Sequence, residues 1–227
     1  MNTVSRILAL STLTLGISGF ATVSHAELYY GLGFSQMLDG GEFEEELKND
    51  YKVISAYQGY NAGLDKETID ISHGQGLTAT IGFPIKNNLS LETRYSLYKD
   101  AVDVKTKISD SDGYGNSYSF DTATKADAHK FGLHGVYRHS LNEYLYVKGA
   151  VGATYTMYDG EVKYKLSSKF DGESEYSERT GKIEREKFSG EGSLGLGLRL
   201  TSCCNMELEY NTSKENDTAS LSVMWRF

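Results

Sequence analysis

Eight stretches of the chain alternate large apolar side chains with small or polar ones at a period of two. The first sets Leu28, Tyr30, Leu32 and Phe34 against Tyr29, Gly31 and Gly33. The others are Leu77–Phe83, Leu89–Leu97, Phe131–Tyr137, 144–157, Leu194–Leu200, Met206–Tyr210 and Leu221–Phe227. A period of two predicts strands whose two faces differ in polarity. The polar parity holds Gly, Ser, Thr and charges of both signs. The apolar parity is large in all eight runs. Pointed inward, that much Leu, Tyr, Phe and Trp would overfill a small barrel. Pointed outward, it needs lipid as its solvent. Backbone groups in lipid must all be paired, so the sheet must close. The pattern predicts an all-β protein, an eight-stranded antiparallel up-and-down transmembrane β-barrel.

The connections alternate in length. Pro84–Asn88, Ser140–Glu143 and Thr201–Asn205 are short, as is Lys214–Asp217. The segments 36–74, 100–127 and 159–189 are long. Short turns at one end and longer loops at the other are the arrangement of outer-membrane barrels. The expectation is three long extracellular loops, both termini periplasmic, and Pro84 in a short turn where its missing N–H costs no ladder bond. Alternation through Val162, Tyr164 and Leu166 predicts that the strands of the third loop continue past the bilayer, and the same is expected around 101–109 and 117–127.

Residues 1–26, MNTVSRILALSTLTLGISGFATVSHA, have the parts of a secretory signal peptide. Arg6 precedes an apolar run, and Ser24-His25-Ala26 offers a cleavage site between Ala26 and Glu27. As a membrane anchor the run would be short, and Ser11, Thr12, Thr14 and Ser18 break it. The expected mature domain is 27–227, an outer membrane β-barrel. The whole chain carries 23 basic and 31 acidic residues. Loss of Arg6 would leave 22 against 31 and a net charge near −9. Nucleic acid is excluded as a partner, because its phosphates need a basic surface. Glycine at 24, tyrosine at 17 and a single proline favour strands and turns. The adjacent Cys203 and Cys204 could close only a strained ring and read as idle thiols in a turn.

At the C-terminus, Leu221, Val223, Trp225 and Phe227 would line the lipid face of the closing strand. An aromatic two from the end and a terminal Phe resemble the assembly signal of outer-membrane barrel proteins. The opening "ELYYGLGFS" resembles the first mature strand of the opacity-protein and OmpA-transmembrane-domain-like families. The resemblance covers the barrel strands, about half the mature chain. It implies outer membrane lipid and lipopolysaccharide as surroundings and the barrel-assembly machinery as a partner. No residues follow Phe227 in the sequence, so a peptidoglycan-binding role is not expected.

The inward parity supplies a candidate lumen charge network: Glu92, Glu191, Glu207 and Glu209 with Arg94, Lys130, Arg138, Lys148, Arg199 and Arg226, and with His134. Charges enclosed in a narrow barrel must be paired or wet. If Leu200 opposes Met206, then Arg199 opposes Glu207, and Arg226 could reach the same carboxylate. The set is either an ion path or a salt-bridged plug, and eight strands favour the plug. The other histidines are His73, beside Ser72, His129, and His139, beside Ser140. No Gly-x-Ser-x-Gly elbow and no His-x-x-Glu-His pattern occurs. "DSDGYGNS", 110–117, carries Asp110, Asp112 and Asn116 but lacks the closing Glu of a calcium loop. No catalytic residue, cofactor or metal is expected. The first long loop is acidic, with Asp39, Glu42, Glu44, Glu45, Glu46, Asp50, Asp65, Glu67 and Asp70 against Lys48, Lys52 and Lys66. Protruding strands with tyrosines could bind a host or surface ligand by strand addition, or could merely shield the surface. The expected function is a surface protein with a structural or adhesive role. A small-solute porin is the alternative, and a lipid-facing hydrolase the third reading.

Overall fold

The computed structural model describes residues 28–42, 44–47, 66–86, 88–111, 117–170 and 173–226. The expected leader with its Ala26–Glu27 site, residues 48–65 of the first loop, the 112–116 core of "DSDGYGNS", and Phe227 lie outside the described residues.

The strands are β1 (Tyr29–Asp39), β2 (Lys66–Lys86), β3 (Leu89–Ser111), β4 (Ser117–Ser140), β5 (Leu145–Phe170), β6 (Glu173–Arg199), β7 (Cys204–Ser213) and β8 (Asp217–Arg226). Each pairs antiparallel with the next, and β8 returns to β1, closing the barrel. At the seam Leu32 opposes Val223 and Phe34 opposes Leu221. Closure pairs the backbone edges that lipid could not satisfy.

The polarity is inside out for a water-soluble fold. Leu77, Val151 and Leu194 are 69%, 72% and 74% exposed, whereas Glu92, Lys148 and Glu207 are buried. Residues of one parity meet lipid, and those of the other fill the lumen.

Strand lengths are unequal. β1, β7 and β8 have 10 or 11 residues. About ten tilted residues cross a bilayer. β6 has 27 residues, roughly 90 Å of chain at ~3.3 Å per residue. β2 to β6 therefore run well past the apolar band as a five-stranded sheet. The outward parity of β6 records the border, passing from Leu194 and Phe188 to Glu186, Glu184 and Lys182. On β5 it passes from Met157 to Asp159, Glu161 and Lys163.

Two of the three long loops expected from sequence are thus β-hairpins, with the strand continuation expected around 101–109, 117–127 and Val162–Leu166. Segment 100–127 narrows to a link over 112–116, and 159–189 to 171–172. Charges that read as loop lie on opposed strands with opposite signs: Lys107 faces Asp121, Lys165 faces Glu178, and Glu161 faces Lys182. Such cross-strand pairs stabilise a sheet outside lipid. Pro84 also lies in a strand rather than a turn. It opposes Ser90, and the register shifts just after it, between Pro84 and Lys86, a bulge that accommodates a residue without an N–H donor.

The β6–β7 register differs by two residues from the expected one. Leu198 opposes Met206, Arg199 opposes Asn205, and Gly197 opposes Glu207. The Leu200 and Thr201 amides both donate to Cys204 O and close the turn, so Leu200 cannot join the ladder. A two-residue shift keeps every side chain on its face.

Above the lipid band the inner face turns apolar. Met37, Tyr98, Val102, Val104, Ala126, Ala128 and Tyr158 form a cluster completed by Leu47. Leu47 comes from a short helical segment beyond β1, described at 41–42 and 44–47. Gly41 starts it with φ of 52°, and a Cβ there would lie 2.4 Å from Lys214 O. Only glycine allows this left-handed turn to press against the β7–β8 connection.

Candidate functional site: the filled lumen

The inward charges gather in two clusters. The larger lies toward the short-turn end. Glu92, fully buried, accepts from Arg94 Nη2 at 2.7 Å and Nε at 3.1 Å. It also accepts from Arg138 Nη2 at 2.5 Å and the Tyr29 hydroxyl at 2.8 Å. Glu207 accepts from Lys148 Nζ at 2.7 Å, Arg138 Nε at 3.0 Å and the Tyr146 hydroxyl at 2.6 Å. Glu209 accepts from Arg94 Nη1 at 2.7 Å, Lys148 Nζ at 2.8 Å and Ser193 Oγ at 2.5 Å. Three carboxylates thus face three cations, each cation bridging at least two acids.

The smaller cluster sits nearer the protruding sheet. Lys130 contacts Glu191 and donates to Asn216 Oδ1 at 2.7 Å. His134 Nε2 lies 3.0 Å from Glu191 Oε1, and its Nδ1 has no partner. Lys130 and Glu191 set one base against one acid beside the His134 ring.

The strands build these clusters through the pleat. Glu92 and Arg94 are two apart on β3, and Glu207 and Glu209 two apart on β7, so each pair shares the inner face. Inward glycines make room for the large members. A Cβ at Gly82 would lie 1.9 Å from the Tyr29 ring, and one at Gly197 would lie 2.0 Å from the Tyr146 ring. Gly132 and Gly152 flank the His134 ring in the same way. A void of about 30 Å³ lies between the clusters, bordered in part by Arg94, Lys130, His134, Lys148, Glu191 and Glu209.

Nine of the eleven residues assigned to the lumen from sequence lie in these clusters. Arg199 and Arg226 do not. Arg199 turns to the rim, where it donates to Ser140 Oγ at 2.5 Å and to the carbonyls of Asn142 and Glu143. Its guanidinium also stacks beneath the Tyr146 ring at 5.4 Å. Arg226, opposite Tyr29 at the end of β8, is exposed. Both occupy inward parity in the last pair of a strand, where the barrel opens to water and solvation competes with pairing. Their departure turns six bases against four acids into four against four among the described residues. Tyr29, Tyr146, Ser193, Asn211 and Asn216 complete the clusters and were not singled out from sequence. A tyrosine on a glycine-rich polar parity was the available signal for the first two.

The remaining histidines are apart from one another. His129 Nδ1 meets the Tyr95 hydroxyl at 2.8 Å, and His139 is exposed. His73, expected in a loop, lies on β2 with Nε2 2.9 Å from Glu44 Oε2. Asp39, Glu44 and His73 bring one donor atom each to within 4.8 Å of one another at the mouth, where Glu44 also accepts from the Gly40 amide. On the lipid face, Leu221 and Trp225 of β8 are exposed and Val223 is partly so.

The model of the outer membrane protein beta-barrel domain matches residues 7–227. No curated protein matches the chain by sequence. Among solved structures, Ail, the attachment invasion locus protein of Yersinia pestis, is 13% identical with a TM-score of 0.39, over 89% of this chain and 99% of that one. Neisserial surface protein A is 13% identical with a TM-score of 0.42, over 88% and 97%. The N-terminal β-barrel domain of Pseudomonas aeruginosa OprF is 9% identical with a TM-score of 0.46, over 89% and 100%. With a family match along nearly its whole length and a closed eight-stranded barrel of outward apolar side chains, the chain belongs to the outer membrane protein beta-barrel family.

Proposed function

We propose that this protein is a plugged barrel that displays the five-stranded extension of β2–β6 at the cell surface, as a structural or adhesive element and not as an enzyme. The observation that carries this reading is the lumen: four carboxylates bonded to four cations, with a void of about 30 Å³. Buried pairs in such a space hold one arrangement firmly, because freeing either partner leaves an uncompensated charge. The exposed, charged hairpins of β3–β6 suit the outside of the cell, with both termini periplasmic and the leader 1–26 removed after Ala26. Lipopolysaccharide then surrounds the extension. Its partner is a host or surface ligand, met by strand addition. Leu221, Val223, Trp225 and Phe227 serve as the signal read by the barrel-assembly machinery.

Single-channel conductance of the protein in a planar bilayer tests this. Absent or rare small steps are expected. Steady open steps that change on Glu207→Ala would replace it with the small-solute porin reading.

A further inference from the structure

The extension is an open sheet. β1 accompanies β2 only to the pair Gln36–Gln75, and β7 accompanies β6 only from Glu191 to Arg199. Among the described residues, the outer edge of β6 from Glu173 to Gly190 therefore has no strand beside it. Unpaired edges are templates for another strand. The side chains along this one are mainly exposed: 173–180, Lys182, and 184–186.

Their charges select a partner. Two copies of one strand pair antiparallel about a two-fold axis normal to the sheet, which keeps each face on its own side. Opposed residues must then share parity. With Thr180 opposite itself, Glu178 meets Lys182 and Glu175 meets Arg185, each twice. Glu173 would also face Lys187, but Lys187 is bonded to Glu46 at 2.5 Å in its own chain. The neighbouring allowed registers fail: centring on Arg179 sets that arginine against itself, and centring on Gly181 sets Glu178 against Glu184. Like charges directly opposed destabilise a pair of strands. The pattern also continues inward. Lys165 lies beside Glu178, and Glu161 beside Lys182. A row crossing the junction would read Lys165, Glu178, then Lys182 and Glu161 of the second copy, alternating in sign throughout.

We propose that the β6 edge pairs with the same edge of a second copy, centred on Thr180. β6 runs from the tip of the extension toward lipid, so an antiparallel neighbour places its barrel beyond that tip. The two barrels would sit in apposed membranes. An overlap of fifteen residues spans about 50 Å of strand at ~3.3 Å per residue, which at a tilt of ~40° leaves roughly 35–40 Å between the membranes. The inference rests on the surface-display reading above and names its partner as a second copy of this chain.

The test uses the protein refolded into phosphatidylcholine vesicles, as two populations with different dyes. Wild-type populations should cluster at low salt and separate as salt screens the charges. Glu178→Lys alone and Lys182→Glu alone should each slow clustering at least tenfold. Mixing those two variants should restore it, because the new lysine of one meets the new glutamate of the other. Thr180→Cys, with Cys203→Ser and Cys204→Ser, should cross-link between populations on oxidation, since opposed Cα atoms lie ~4.5–5.5 Å apart, within disulfide reach. Unboiled gel mobility verifies that each variant is folded. Wild-type vesicles that stay apart, clustering that survives both reversals, or no cross-link would overturn the pairing. A closed barrel in vesicles that stay apart removes the pairing and leaves surface display intact; a conducting barrel removes surface display whatever the vesicles do.

Discussion

Glu92→Gln is the sharpest probe of the lumen. Glu92 is fully buried and accepts from Arg94, Arg138 and Tyr29, with Lys148 Nζ 3.3 Å away. Glutamine keeps the shape and one acceptor oxygen but presents an amide to the other cations. Two charge-assisted bonds at about 1.5–3 kcal/mol each are lost, and the cluster is left with three cations against two acids. Removing one partner of a buried pair costs about 3–5 kcal/mol by the same reasoning. Urea unfolding in lipid vesicles, followed by the fluorescence of Trp225, gives the measurement. Trp225 is the single tryptophan and is 37% exposed on the lipid face. Adding Arg138→Met should return the cluster to two acids and two cations. The double variant should then lose at least about 1–2 kcal/mol less than the sum of the singles, in the range of coupling between directly interacting residues. A Glu92→Gln cost below about 1 kcal/mol, with additive singles, would mean that the lumen is wet and screened, and the plug argument would fail.

Other perturbations have defined outcomes. Gly82→Ala and Gly197→Ala should each destabilise by about 1–3 kcal/mol, because the new methyl group overlaps a tyrosine ring held by its hydrogen bond. Gly192→Ala, with open space at its Cβ, should change stability by less than about 0.5 kcal/mol in the same urea titration. Replacing residues 162–181 by Asn-Gly should preserve the heat-sensitive gel shift of the barrel and abolish vesicle clustering, since it removes half of the β6 free edge, including Glu175, Glu178 and the central Thr180. Burial pushes the Glu215 carboxyl above its usual range, and nearby Glu42 and Glu46 add to this against Lys187. A carboxyl raised in the folded state favours the protonated form. Docking of the 41–47 helix should therefore be firmest below about pH 4.5 and weaken as pH rises past it. Amide exchange of residues 44–47 should show this trend, and Glu215→Gln should flatten it. Deleting Phe227 should lower the amount of assembled barrel in the outer membrane, and normal levels would remove the assembly role of the C-terminal aromatics.

Much of the barrel was legible because lipid and lumen impose opposite polarities on alternate residues. That rule marks Leu194 and Leu196 as outward and Glu207 and Glu209 as inward without any coordinates. The protruding hairpins were less legible. Alternation through Val162, Tyr164 and Leu166 marks β5 beyond the bilayer, but Glu173 to Arg179 of β6 are polar on both faces and lose the contrast by which a strand is recognised. Their pairing emerges only when Lys165 is set beside Glu178. The 41–47 helix was hidden for a related reason. Its four glutamates read as acidic loop, while its docking depends on Leu47 meeting a pocket assembled from β1, β3, β4 and β5.

The residue pattern alone carries the class of fold, the number of strands, which parity faces lipid, and the presence of charges of both signs in the interior. These follow from local chemistry repeated at a fixed period. The tertiary structure decided which charges meet. Register at a turn depends on which amide reaches which carbonyl: Leu200 and Thr201 bond to Cys204, so Glu207 falls opposite Gly197, and Arg199 goes to the rim. Arg94 and Glu209 are 115 residues apart in sequence, yet they lie within 2.7 Å because the sheet closes on itself. No local pattern encodes that distance; ring closure does.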